Sequence, residues 1–510
     1  MTAPGLLLRK YIYFCHSHTG IPIWLLRRPR LFSSPASAII TVPLREEARS
    51  VSLFSSKTEK KSRDVDMTEG SIIGHLIWFS LPLLAGNLFQ QLYNMVDTWV
   101  VGNFVSNEAF SAVGTVTPII NTLIGFFMGL SSGAGVVISQ YYGAHREDKV
   151  RQAVHTSLAM TIVLGVAFTF IGISMIPAML RLMNMPESVF PEAKAYLTIY
   201  FGGVLALMLY NMGAGILRAV GDSTRPFYFL VFSAGLNIVL DLLFVLVFHM
   251  GVEGVAWATV ISQGISAALV LITMARSDSW VNIRAAELRL HKPILRMIVM
   301  VGIPSALQLA VTSFSNVFVQ SYINYFGPDC MSGWTAYMKL DQLMVLPIMS
   351  LSLAATTFVG QNLGKNQPQR AKEGTRIAVL LSIGITVALL CLILPTAPWL
   401  VAFFNDKPEV VTYGSFFLRV LTSFYPICCI NQVYAGALRG AGDSKAPMII
   451  MLLSFVGFRQ LYLFVTANFI SNTILPVSMG YPAGWIVCSV ITLIYYRRTD
   501  LTRSRLVEGP

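Results

Sequence analysis

The sequence predicts an all-α integral membrane protein with twelve transmembrane helices in two six-helix lobes. Three observations predict it. Of 510 residues, 55% are apolar and only 12% charged, with a mean hydropathy of +0.63, whereas a soluble domain carries about 25% charged residues. Twelve apolar runs are each long enough to cross a bilayer core, which takes roughly 20 residues of helix. The second six runs repeat the first. This composition excludes a soluble enzyme, a disordered chain and a disulfide scaffold. The six cysteines show neither CxxC nor Cys/His spacing, so they indicate no metal site.

The runs fall at 72–103, 114–140, 152–177, 194–217, 227–249 and 252–274, then 294–326, 331–360, 374–397, 411–437, 446–470 and 477–497. Charged or Gly/Pro-rich breaks bound them. The first and seventh exceed one crossing. Loops on one side carry 20 Lys and Arg, among them Arg146, Arg225, Arg289, Lys365 and Arg439. Loops on the other side carry 3: Arg181, Lys194 and Lys407. Basic loops stay in the cytoplasm, so both termini are expected there, in a cell (plasma or inner) membrane. The domain reading is a basic extension at 1–66, an amino lobe at 67–275 and an inter-lobe loop at 276–293. A carboxyl lobe at 294–498 and a tail at 499–510 follow. The extension holds eleven bases against five acids, half of the net charge of +12. It reads as a disordered or targeting segment ahead of a natural start at Met67. No nucleic-acid module accompanies it.

Residues 215–226 (GILRAVGDSTRP) recur as 436–447 (GALRGAGDSKAP), an offset of 221. That offset also pairs Gln140 with Gln361 and Gly143 with Gly364. An offset of 222 pairs Pro82 with Pro304 and Asn94 with Asn316. Six spans per copy make the repeat parallel, about an axis along the membrane normal, a layout used by secondary transporters. In the LRxxGDS loops, Gly is read as making a turn while Asp222, Asp443 and the following serines cap the next helix.

An ionisable group at mid-membrane costs at least about 2.5 kcal/mol, so each is a functional candidate. Three acids lie well inside spans: Asp97, Asp241 and Asp341. Asn237 stands one turn before Asp241 on the same face, and the next span offers Thr259. The repeat replaces Asp97 by Val319, and at an offset of 221 it replaces Asn237 by Phe458 and Asp241 by Tyr462. A packing residue would persist in both copies more often than a chemical one. The loss therefore points to a polar site confined to the first half, with groups suited to Na⁺ or to a proton shared between carboxylates. The competing reading is a hydrogen-bonded staple between helices. In the second half, Asp341 either lines a cavity or sits near the outer interface, and Arg459 is a candidate for facing the cavity or a carboxylate.

These residues, from Met67 to about Arg498, resemble the multidrug and toxic compound extrusion (MATE) family. The pieces that carry the resemblance are FSLP followed by VDTWVVG, then QYYGA, VGQNLG, LRAVGDS/LRGAGDS, LNIVLD and GVEGVAWAT. The resemblance implies two six-helix lobes forming a V around a central cavity. It also implies export of organic, often cationic or amphipathic compounds by antiport against Na⁺ or H⁺, with no cofactor, by a monomer. Carried onto this sequence, the family's amino-lobe cation site falls on Asp97, Asn237, Asp241 and Thr259, with the carbonyl of Val255. Pro82 matches a kink-forming proline and Tyr196 a tyrosine near the site. The pattern looks most like the DinF-like branch. Thr312 stands where another branch has a glutamate, which puts a second cation site in doubt. The alternative transport reading is a flippase for lipid-linked precursors. An enzyme is not expected, because HExxH and P-loop motifs and a paired catalytic His constellation are lacking.

Overall fold

The computed structural model of the protein describes residues 64–183, 185–501 and 506–507. The expectations for residues 1–63 lie outside the described residues. The described residues belong to one compact unit.

Twelve spans emerge, and among the described residues no strand occurs. The amino half contains α1 (Ile72–Phe104), α2 (Asn107–Gly143), α3 (Glu147–Leu182), α4 (Phe190–Gly202 with Val204–Ala219), α5 (Thr224–Val247) and α6 (Gly251–Ala275). The carboxyl half contains α7 (Lys292–Asn324), α8 (Pro328–Gly364), α9 (Pro368–Ala402), α10 (Pro408–Thr422 with Tyr425–Gly440), α11 (Lys445–Ile470) and α12 (Ile474–Arg498). Ten are single helices long and apolar enough to cross a membrane, and the two bent pairs bring the number to twelve. Trp78, Phe170, Leu392 and Trp399 are among the large apolar side chains exposed on the outside, as a lipid-facing surface requires.

Local chemistry explains the starts, stops and bends. Ser71 and Ser106 cap α1 and α2, their hydroxyls accepting from the N–H groups of Gly74 at 3.3 Å and Ala109 at 3.1 Å. Proline opens α8 and α9, where its missing N–H costs nothing. The α4 pair bends by 47° at Gly203, which packs directly on Val260 of α6 with no room for a Cβ. The α10 pair bends by 52° just before Pro426. Pro82 sits within α1 without breaking it.

The repeated loops are built as turns and caps, with one change of role. Gly221 and Gly442 adopt φ of +87° and +98°, conformations that exclude ordinary side chains. Asp222 accepts from the N–H groups of Thr224 and Arg225, both at 3.0 Å, and Asp443 from that of Ala446 at 3.1 Å. Ser223 and Ser444 make no side-chain cap, although the sequence suggested they would. The aspartate one residue earlier reaches the free N–H groups first.

The halves meet along α2 and α7, the most extensive helix–helix contact, with α8 packed on both α1 and α2. Gly129 and Gly133 of α2, spaced four apart, let its backbone touch that of Ala306, Ile298 and Gly302 in α7. At the end carrying the basic loops, Gly143 packs on the Gln361 backbone and Gly364 on that of Gln140. Each glutamine crosses between halves. The Gln140 amide donates to the Gly440 carbonyl and the Gln361 amide to the Ala219 carbonyl, both at 2.9 Å. The segments flanking the spans join this seal. The Met67 N–H donates to Gln361 Oε1 and the Leu506 N–H to Gln140 Oε1, again both at 2.9 Å.

Candidate functional site

Asp97 on α1 and Asp241 on α5 face each other closely enough to interact. Asp241 is fully buried and Asn237, one turn earlier, is 3% exposed. From α6, the Thr259 hydroxyl donates to the Val255 carbonyl at 3.0 Å, so these two predicted residues are adjacent. Asn237 and Thr259 line one small cavity together with Tyr93, Ser233, Ser262 and Gln263. Its volume of about 10 Å³ is room for one water-sized occupant. The buried Tyr196 of α4 lies within electrostatic reach of both aspartates.

Hydrogen bonding bears on the staple reading. One oxygen of Asp97, both oxygens of Asp241 and both polar atoms of the Asn237 amide are buried without a hydrogen-bond partner in the protein. Each unsatisfied buried group costs about 1–3 kcal/mol. A staple between helices would satisfy them. Five such atoms on α1 and α5 lack a protein partner, which a staple does not explain. Among the described residues no cluster of three or more His, Cys, Asp or Glu side chains forms.

Tyr93 and Gln263 were not singled out in the sequence, although helical spacing holds the signal. Tyr93 is four residues before Asp97 and Gln263 four after Thr259, each on the same face as its neighbour.

Among the described residues the second half holds no copy of this arrangement. Asp341 accepts a 2.9 Å hydrogen bond from the Tyr337 hydroxyl, inside an aromatic cluster with Trp334, Phe417 and Tyr481. Arg459 is 2% exposed and forms no ion pair among the described residues, so the expected carboxylate partner is not found. It donates to Ser315 Oγ at 2.5 Å and Asn316 Oδ1 at 3.0 Å, and lies over the rings of Phe455 and Tyr481 at 5.4 and 4.7 Å. Oxygen donors and ring faces take the place of a counter-charge.

A larger apolar cavity of about 570 Å³ opens between α2, α3 and α4. Phe126, Phe168, Met175, Met179 and Phe201 are part of its lining.

The MatE family model matches residues 82–243 and again 304–464, one match in each half. Two Bacillus subtilis (strain 168) proteins, both named probable multidrug resistance proteins, are similar along nearly their full length. YpnP is 28% identical over 442 residues, covering 85% of this chain and 96% of its own. YoeA is 29% identical over 453 residues, covering 86% of this chain and 95% of its own. Among solved structures, a MOP superfamily transporter from Pyrococcus furiosus Vc1 superposes with a TM-score of 0.81 at 23% identity, over 86% of this chain and 98% of that one. That likeness shows the same fold. With both halves matched by one family, at the positions where the internal repeat divides the sequence, the chain belongs to the MatE family of membrane transporters.

Proposed function

We propose that this transporter exports organic, often cationic compounds by antiport, and that the coupling Na⁺ or H⁺ binds at Asp97, Asn237, Asp241 and Thr259. The observation that carries the reading is the pair of facing carboxyls with unpaired buried oxygens, confined to the amino half. Two buried carboxylates side by side repel unless a cation or a proton lies between them. The site therefore favours an occupant of positive charge. Its amide, its hydroxyl and the Val255 carbonyl are the hard oxygen donors that suit Na⁺.

The basic loops orient the chain with both ends in the cytoplasm. The glutamine seal then lies on the cytoplasmic side, and the coupling ion is taken to reach the site from the opposite side. A coupling ion entering from outside neutralises the carboxylates. α1 then bends near Pro82, where the helix lacks one N–H donor. Bending narrows the amino lobe and displaces the substrate outward, after which the lobes rock inward. Coupling requires the ion to bind the two states with different affinity, since equal affinity shifts nothing. The aromatic and methionine lining of the 570 Å³ cavity supports an adaptable apolar contact with varied amphipathic substrates.

Export of a fluorescent organic cation from proteoliposomes, driven separately by a Na⁺ gradient and a pH gradient, tests this function. Drive by one of them is expected. Drive by neither would contradict antiport.

A further inference from the structure

A single offset of 222 aligns the α1–α5 contact of the amino half with the α7–α11 contact of the carboxyl half. Under it, Tyr93 becomes Ser315 and Asn237 becomes Arg459. The first two line one cavity. The second two are hydrogen-bonded to each other. The guanidinium thus stands where the amino half gathers its cation ligands.

The structure also explains why this register differs by one from the offset of 221 in the loops. α11 passes through a π-helical stretch, Leu452–Phe458, directly before Arg459, whereas α5 is regular α-helix from Thr224 to Leu242. A π turn holds one extra residue. The helix faces therefore step from 221 to 222 at that stretch, and the pairing of Asn237 with Phe458 gives way to Asn237 with Arg459. The same step pairs Asp241 with Leu463, and Asp97 is paired with Val319. Both carboxylates are thus apolar in the carboxyl half, and both replacements are buried.

We infer that Arg459 is a tethered counterpart of the coupling ion, fixing α7 to α11 throughout the cycle and keeping a second cation out of the carboxyl lobe. Several features support a clamp. The guanidinium bridges α11 to Ser315 and Asn316 on α7 and stacks on Tyr481 of α12. Gln460 adds bonds to the Ser315 carbonyl at 3.1 Å and hydroxyl at 2.9 Å. A mobile ion lets the amino lobe take two shapes; a covalently attached one leaves the carboxyl lobe a single shape. Arg459 acts as a positioning residue, and the inference rests on the proposed amino-lobe ion site.

The test uses two pairs of spin labels in the full-length protein in lipid, one spanning α1 and α5, the other α7 and α11. Distances are measured with and without Na⁺ and at low and high pH. The amino pair is expected to shift with the coupling ion, while the carboxyl pair keeps one unshifted distance. Arg459→Met should split or broaden the carboxyl distance, and Arg459→Lys should restore a single one, which loss of bulk packing would not do. A wild-type carboxyl pair that moves with the ion overturns the inference without any Arg459 variant, should Arg459→Met fail to fold. An Arg459→Met protein with the wild-type carboxyl distance overturns it equally. An immobile amino pair would instead contradict the proposed ion site, while the carboxyl pair still decides the clamp.

Discussion

Asp97→Asn should leave a folded protein that no longer couples export to an ion gradient, because the amide is neutral at every pH and holds no cation. Asp241→Asn should weaken ion binding, seen as a rise in the ion concentration needed for half-maximal export. Asp341→Asn should matter less: its amide oxygen still accepts the Tyr337 hydroxyl, and among the described residues no second carboxyl is paired with it. An Asp341→Asn protein that loses ion dependence as fully as Asp97→Asn would move the site to the carboxyl lobe. Asp97 and Asp241 stand out in the sequence because charge inside a membrane is costly and the repeat discards them, and Asn237 because it lies one turn before Asp241. Tyr93 and Gln263 do not, since aromatic and amide side chains occur in many spans without special cost. The hydroxyl, amide and ring partners of Arg459 were not legible in the sequence. Its partners follow from a π turn, which no periodicity of 3.6 anticipates.

At the scale of elements, the aspartates of the repeated loops carry a structural role that mutation can separate from transport. Asp222→Ala or Asp443→Ala removes the acceptor for the first N–H groups of α5 or α11, a loss of about 0.5–2 kcal/mol. Asp222 also pairs with Arg225, and Asp443 accepts a 2.7 Å bond from the Tyr495 hydroxyl. Thermal unfolding in detergent should register a lower midpoint for each variant, with unchanged ion dependence of the remaining transport. A variant of full stability but altered ion dependence would assign these residues to coupling. The helices themselves were readable from apolar length, and all twelve spans appear near the expected positions. The breaks in α4 and α10 were not, because Gly203 and Pro426 resemble the many Gly and Pro that membrane helices tolerate.

At the scale of the whole molecule, the repeat predicted two lobes, and the seal between them obeys the same twofold logic. Gln140 and Gln361 exchange equivalent bonds across the lobes, and Gly143 and Gly364 permit the backbones to touch. Gly143→Ala or Gly364→Ala puts a methyl group against main chain, which cannot yield. Such variants should favour the state open at the basic end, and a cysteine placed there should label faster than in the wild type. Equal labelling would show that the seal is not the gate. The bonds from Met67 and Leu506 to the two glutamines were not readable, since segments flanking the spans carry no periodicity to place them.

The central claim is that an ion held between Asp97 and Asp241 drives export, and dye efflux from proteoliposomes tests it most directly. Wild-type and Asp97→Asn proteins, reconstituted at equal density, would each be given an inward Na⁺ gradient or an inward proton gradient. The account predicts export by the wild type under at least one gradient and by Asp97→Asn under neither. Export by Asp97→Asn at the wild-type rate, with the same ion dependence, would contradict it.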